Sequence, residues 1–276
     1  MIKIHLAYFS PSGTTEKIVR GIADGIKDVF PNSPVEMIDL LAAKTRKGRH
    51  VFGPDELVVF GCMTAQKLFT LSDEMFASLE GHDTPMIGIV SYGNGFYGIA
   101  LKELLKRATE RGFLVAAAGA FPAQHSISST IGPGRPDASD METIRAFGRK
   151  AAEKIGSGDL NLHTQLQTNW SHVDEFNKII AMRESQPDAP YVLPESYKTK
   201  EISDACIQCG ICANYCPTEA IDVSRKSFDL NKCIGCWGCI NRCPRHAIRS
   251  TSREMADIMT SFGSAFAEPL KPETFF

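Results

Sequence analysis

The sequence predicts an α/β chain: a doubly wound parallel sheet of five strands over residues 1–156, then a small cysteine-rich α+β domain. Three observations carry this expectation. Short apolar runs alternate with amphipathic segments through the first 156 residues, and the loop after the first run reads "SPSGTTE". Eight of the nine cysteines then crowd into residues 206–243 at spacings of three and four.

The strands are taken first. "IKIHLAYF" (2–9), "PVEMIDL" (34–40), "ELVVFG" (56–61), "PMIGIVSY" (85–92) and "FLVAAAGAF" (113–121) are mostly apolar throughout, the mark of strands covered on both faces. Helices fit between them. Ile18, Ile22 and Ile26 follow Thr14-Thr15-Glu16 at helical spacing; Leu101, Leu104, Leu105 and Ala108 do the same, and Met141, Ile144, Ala151 and Ile155 mark a last helix. Such alternation requires right-handed crossovers and a parallel sheet. Residues 157–200 break the rhythm and are expected to form a connector with one helix in "TNWSHVDEFNKIIAMRES". Residues 201–250 form the cysteine domain, expected to pack on the first. The tail, 251–276, is expected to begin as a short helix and turn irregular around Pro269 and Pro272.

Composition narrows the partners. With 276 residues and a formal charge of -2, nothing biases the chain toward nucleic acid or an anionic membrane surface. It has no apolar run of about 18 residues, and "MIKIHLAYFS" lacks the features of a signal peptide, so a soluble, cytoplasmic protein without a membrane span is expected. Cysteines two residues apart in one short loop suit a shared metal centre better than disulfides, and thiolate ligands imply a reducing compartment. Cys62 stands alone and reads as packing.

The cysteine region is an internal repeat. Residues 206–221 laid over 233–248 share C-I-x-C-x-x-C-x-N-x-C-P-x-x-A-I. Two runs of C-x2-C-x2-C-x3-C-P resemble bacterial two-cluster ferredoxins across about residues 201–250. The resemblance implies two [4Fe-4S] clusters. Cys206, Cys209, Cys212 and Cys243 would hold one, and Cys233, Cys236, Cys239 and Cys216 the other, because the fourth cysteine of such a run serves the opposite cluster. Structural zinc is the alternative for C-x-x-C pairs. Arg225, Lys226, Lys232, Arg242, Arg245 and Arg249 face Glu201, Asp204, Glu219, Asp222 and Asp229; they read either as ordinary surface ion pairs or as charges that raise a cluster's potential.

"SPSGTTE" follows the first strand and opens the first helix. Ser10, Ser12, Thr14 and Thr15 supply hydroxyls, Gly13 permits a tight turn, and the helix N-terminus adds N–H donors. Helix capping alone would use the same residues. The segment resembles the FMN phosphate loop of flavodoxins, whose sheet order is 2-1-3-4-5. That resemblance implies FMN, touched also by "GCMTAQK" (61–67), through Met63, Thr64 and Ala65, and by "SYGNGFYG" (91–98). In the latter, Tyr92, Gly93, Asn94, Gly95, Tyr97 and Gly98 are the expected contacts, with Phe96 a further stacking candidate. The 61–67 loop lacks an aromatic cover, which leaves one flavin face open, or covered by the Fe–S domain or by another subunit in a homodimer. His125 falls on the same sheet edge, with satisfaction inside its own loop as the competing role. "KTRKGRH" (44–50) reads as a solvated connection. The S-P-S-G-T-T loop is not G-x-G-x-x-G, so direct dinucleotide use has no support.

The whole chain resembles the flavodoxin–ferredoxin fusions of the EFR1-family ferredoxins. This implies electron transfer between FMN and the clusters, with an external redox protein or low-potential donor or acceptor as partner. Two alternatives stand beside it: a flavin-dependent reductase of a small organic substrate fed by the clusters, and a ferredoxin whose flavodoxin-like domain has lost FMN and serves as an interaction module.

Overall fold

Six of the seven residues in strand β1 (Lys3–Phe9) are buried, which only a central strand with helices on both faces achieves. The structure, a computed structural model, describes residues 2–64, 71–166 and 193–276. β1 pairs in parallel with β2 (Val35–Asp39) on one side and β3 (Glu56–Met63) on the other; Leu6 stands opposite Met37 and Val59. β3 continues to β4 (Thr84–Tyr92), and β4 to β5 (Phe113–Pro122). The five parallel strands thus run 2-1-3-4-5, the flavodoxin-like order expected.

Helices α1 (Thr14–Val29) and α4 (Ala138–Gly156) cover one face, where Ile18, Ile22, Ile26, Ile144, Ala151 and Ile155 join a single apolar cluster. Burying an Ile side chain contributes about 1.5–3 kcal/mol, so the helical spacing read from sequence is what holds these helices down. α4 starts on a capping box: Asp137 accepts from the Asp140 N–H, and Asp140 accepts from the Asp137 N–H. α2 (Ser72–Ser78) and α3 (Ala100–Glu110) cover the other face with Met75, Phe76, Leu101 and Leu104.

The sheet has a sixth strand. The tail forms helix α5 (Arg253–Ala265) and then returns as β6 (Glu273–Phe275), antiparallel to β5 with Thr274 opposite Gly119. The irregular tail expected from its prolines therefore ends as an edge strand. Three residues carry too little alternation to be read as a strand; Phe275 inserting into one apolar cluster and Phe276 into the other is a tertiary event.

The cysteine domain shows its repeat in the backbone. Gln208 and Gly235, Gly210 and Trp237, and Glu219 and His246 are equivalent positions, and all six have positive φ. Lys200–Ile202 pairs with Ile248–Ser250, and Ile221–Asp222 with Ser227–Phe228. Ile202, Cys212 and Ile248 form its small core. The connector helix expected at 168–185 lies outside the described residues.

The domain is docked on the first, as expected. Arg242 donates to the carbonyls of Pro11 (2.6 Å) and Ser10 (2.8 Å), and Asn241 to that of Ser126 (2.8 Å). Arg46 corrects the reading of "KTRKGRH" as solvated. Its side chain is buried, pairs with Glu74 (2.9 Å), and donates to Leu40 and Leu41 and across to Pro217 (2.5 Å).

Candidate functional site

The eight repeat cysteines fall into two groups. Cys206, Cys209, Cys212 and Cys243 line one hollow, closed by Ile207, Ile211 and Ile248. Cys216 lies close enough to Cys236 and Cys239 to act on both electrostatically, together with Cys233. Each group takes three cysteines from one run and the last from the other. Backbone N–H groups point at sulfur: Gln208 to Cys206 (3.4 Å), Gly235 to Cys233 (3.4 Å), Ala220 to Cys216 (3.2 Å) and Ala247 to Cys243 (3.3 Å), with those of Ala213 and Gly238 acting on Cys212 and Cys236. Such donors suit thiolates. Burial pushes the Cys236 and Cys239 thiols up to about 12, so bound cations must supply the charge that lets them ionise. Among the described residues no three candidate ligands converge on a single ion. A cubane does not need them to, since each iron takes one thiolate. The donor set fits two [4Fe-4S] clusters.

The phosphate loop sits between β1 and α1. Ser10 is buried and its hydroxyl accepts the Glu16 N–H (3.0 Å), so it caps the turn internally. Gly13 adopts φ 90° at the helix start, and a Cβ placed there would meet no heavy atom within 4 Å, so backbone conformation rather than space favours glycine. Thr15 is tied to Ser91 (2.7 Å). Ser12 and Thr14 share a hydroxyl–hydroxyl bond (3.0 Å) and face a cavity of about 440 Å³.

That cavity, of the size of one cofactor or drug-sized ligand, runs from Ser12 and Thr14 past Met63, Thr64, Tyr92 and Gly93 to Gly235 inside the second cysteine run. α5 forms a wall with Met255, Ile258, Met259 and Phe262. Cover for this site therefore comes from the chain's own tail, together with Leu193 and Gly235. His125 lines it too. Burial brings its pKa down to about 4, its Nδ1 accepts the Ile127 N–H (3.2 Å), and the neutral ring carries its proton on Nε2.

Several expected contacts have other partners. Asn94 is buried and donates to the carbonyls of Phe266 (3.0 Å) and Glu268 (3.1 Å), while its oxygen accepts from Leu270 N (3.0 Å) and Arg135 (2.9 Å). It latches the tail. Tyr97 turns into the core and donates to Glu273 of β6 (3.0 Å). Gly93 and Gly95 accommodate side chains: a Cβ would stand 2.1 Å from the His125 ring and 2.2 Å from that of Phe262, whose rings pack at 5.4 Å. Ser10, Gly13, Thr15, Asn94, Gly95, Tyr97 and Gly98 are not among the cavity's lining residues, and Ala65 lies outside the described ones. Cys62 is packing, its thiol pushed up to about 12 by burial. The α5 wall went unread because Met255, Met259 and Phe262 on an amphipathic helix predict only burial, without saying against what.

Residues 198–244 match the family model of the 4Fe-4S dicluster domain. No curated protein matches the chain. Among solved structures, a flavodoxin from the domain Archaea is similar at 21% identity, covering 56% of this chain and 99% of that one, with a TM-score of 0.38. Flavodoxin 2 of Bacillus cereus is similar at 19% identity, with 55% and 99% covered and a TM-score of 0.39. A Streptococcus pneumonia flavodoxin stands at 13%, with 56% and 98% covered and a TM-score of 0.39. Strand order and register, not these likenesses, carry the fold. The dicluster segment makes this an iron–sulfur protein of the electron-transfer class. Among the described residues no helix is long and apolar enough to cross a membrane.

Proposed function

We propose that the chain exchanges electrons between FMN, held in the cavity, and its two [4Fe-4S] clusters, and through them with an external redox partner in a reducing, cytoplasmic setting. The two-module order is that of the EFR1-family ferredoxins. The observation that carries the reading is the cavity itself, which begins at the hydroxyls of Ser12 and Thr14 and ends at Gly235, between cluster ligands Cys233 and Cys236. FMN bound there supplies interconversion of one- and two-electron transfer. The chain's residues would do the rest: Ser12, Thr14 and the α1 N-terminus would hold the phosphate, Met255, Met259 and Phe262 would exclude water from the cavity, and Gly235 brings the second cysteine run to its wall.

Anaerobically purified protein should hold about eight irons and one FMN. Cys239→Ala should abolish flavin reduction by a low-potential donor while leaving FMN bound. Flavin reduction at the wild-type rate in that variant would refute the route.

One feature favours a second reading, reduction of a small organic substrate: His125 lines the cavity with a neutral ring whose Nε2 bears a proton. Turnover of a substrate panel that falls in His125→Phe with FMN still bound would decide for it.

A further inference from the structure

The two cysteine runs share one backbone, yet their surroundings differ. In the first, Cys209 is exposed and Ile207 is 62% exposed. In the second, Cys236 is buried, Trp237 is 2% exposed, and Gly238 packs against Pro11 of the phosphate loop. An all-cysteine cluster becomes more negative on reduction, and excluding water makes that added charge harder to hold. Burial alone would thus make the second cluster the harder one to reduce. It is nonetheless the second run that reaches the cavity, through Gly235.

Hydrogen bonds from the backbone do not correct this imbalance: two pairs are equivalent between the runs, and beyond them each group gains a further donor, the Ala213 N–H on Cys212 and the Gly238 N–H on Cys236. Gln208 to Cys206 corresponds to Gly235 to Cys233, and Ala220 to Cys216 corresponds to Ala247 to Cys243. The difference is Lys200. Its Nζ lies 3.4 Å from Cys233 Sγ, donates to the Lys198 carbonyl (2.7 Å), and stands 5.0 Å from the Trp237 ring centroid. The strand pairing of 200–202 with 248–250 holds its backbone. Among the described residues no side-chain cation has a hydrogen bond to a thiol of the first group. Of the basic residues singled out in the sequence, Lys226 pairs with Asp204, Arg249 with Glu201 and Arg225 with Asp222, and Arg242 donates to the phosphate loop; Arg245 lines the first hollow but makes no hydrogen bond to its sulfurs.

We propose that Lys200 raises the reduction potential of the buried second cluster, offsetting its burial, so that this cluster can relay electrons between the exposed first cluster and the cavity. Each relay step moves one electron from one cluster to the other and makes or breaks no bond. The proposal rests on the two-cluster reading above.

The test is an anaerobic redox titration of the holoprotein, followed by electron paramagnetic resonance. Lys200→Met and Lys200→Gln should each lower the reduction equilibrium of one cluster at least tenfold, which is about 59 mV for one electron, and leave the other within about threefold by the same scale. Lys200→Arg, and the remote control Lys106→Met, should leave both unchanged. Lys200→Gln keeps a donor near Cys233 without the charge, so it decides the matter even where Lys200→Met fails to assemble. A Lys200→Gln titration like wild type, or an equal shift of both clusters, overturns the proposal. Protein without eight irons would instead overturn the two-cluster reading, which separates the two failures.

Discussion

Replacing Asn94 with alanine should release the wall that covers the cavity. Three of its hydrogen bonds hold the tail: those to the Phe266 and Glu268 carbonyls and that from Leu270 N. At about 1 kcal/mol net for each bond, the latch contributes about 3 kcal/mol. That corresponds to roughly a hundredfold rise in the opening equilibrium of the tail, tenfold for each 1.4 kcal/mol. The backbone at Asn94 has φ 53°, a conformation that alanine tolerates poorly, so part of any effect could come from the main chain. Asn94→Gly separates the two, since glycine adopts this φ without strain but makes none of the bonds. Hydrogen exchange measured by mass spectrometry should show residues 255–275 exchanging faster in both variants, with strands β1 and β4 unchanged, and FMN should dissociate faster. Wild-type protection of the tail in Asn94→Gly would refute the latch.

Arg242→Ala should loosen the contact between the domains, because it removes two charge-assisted bonds to Ser10 and Pro11 and a guanidinium 4.1 Å from the Tyr215 ring. A loss of about 2–4 kcal/mol, read as lowered FMN affinity with iron content intact, is expected, and Arg242→Lys should not restore it because it lacks the planar fork. A pH effect follows from His125. Burial holds it down to about 4, whereas the unfolded residue titrates near 6.5. Between these values the unfolded chain binds the extra proton, so stability is lost as pH falls from about 6.5 to about 4, by up to about 3 kcal/mol. Urea unfolding at pH 7 and 4.5 should show that loss in the wild type and a smaller one in His125→Gln; equal losses would contradict the half-buried neutral histidine.

The strands, the helices on each face and the two cysteine runs were legible in the sequence because each depends on local pattern, while the strand order and the crossing of Cys216 and Cys243 came from the resemblance to flavodoxins and ferredoxins. Apolar runs such as "PMIGIVSY" declare a strand buried on both faces, and C-x2-C-x2-C brings its three sulfurs onto one small object through chain geometry. Ser12 and Thr14 could be placed near a ligand for the same reason, since strand, turn and helix follow one another within a few residues. What closes the site was not legible. Asn94 sits in a glycine-rich loop that reads as flavin contact, yet its amide is used up by a tail more than 170 residues away. Arg46 and Arg242 look like surface charge until carbonyls from the other domain meet them. Lys200 lies outside both cysteine runs and reaches Cys233 only because its strand pairs with 248–250. Local sequence determined the two modules, whose strands, helices and cysteine turns are built from hydrogen bonds short in range. Tertiary structure decided their join, because satisfying a carbonyl, covering a cavity or placing a charge against a sulfur depends on which distant segments the packed fold brings within a few ångströms.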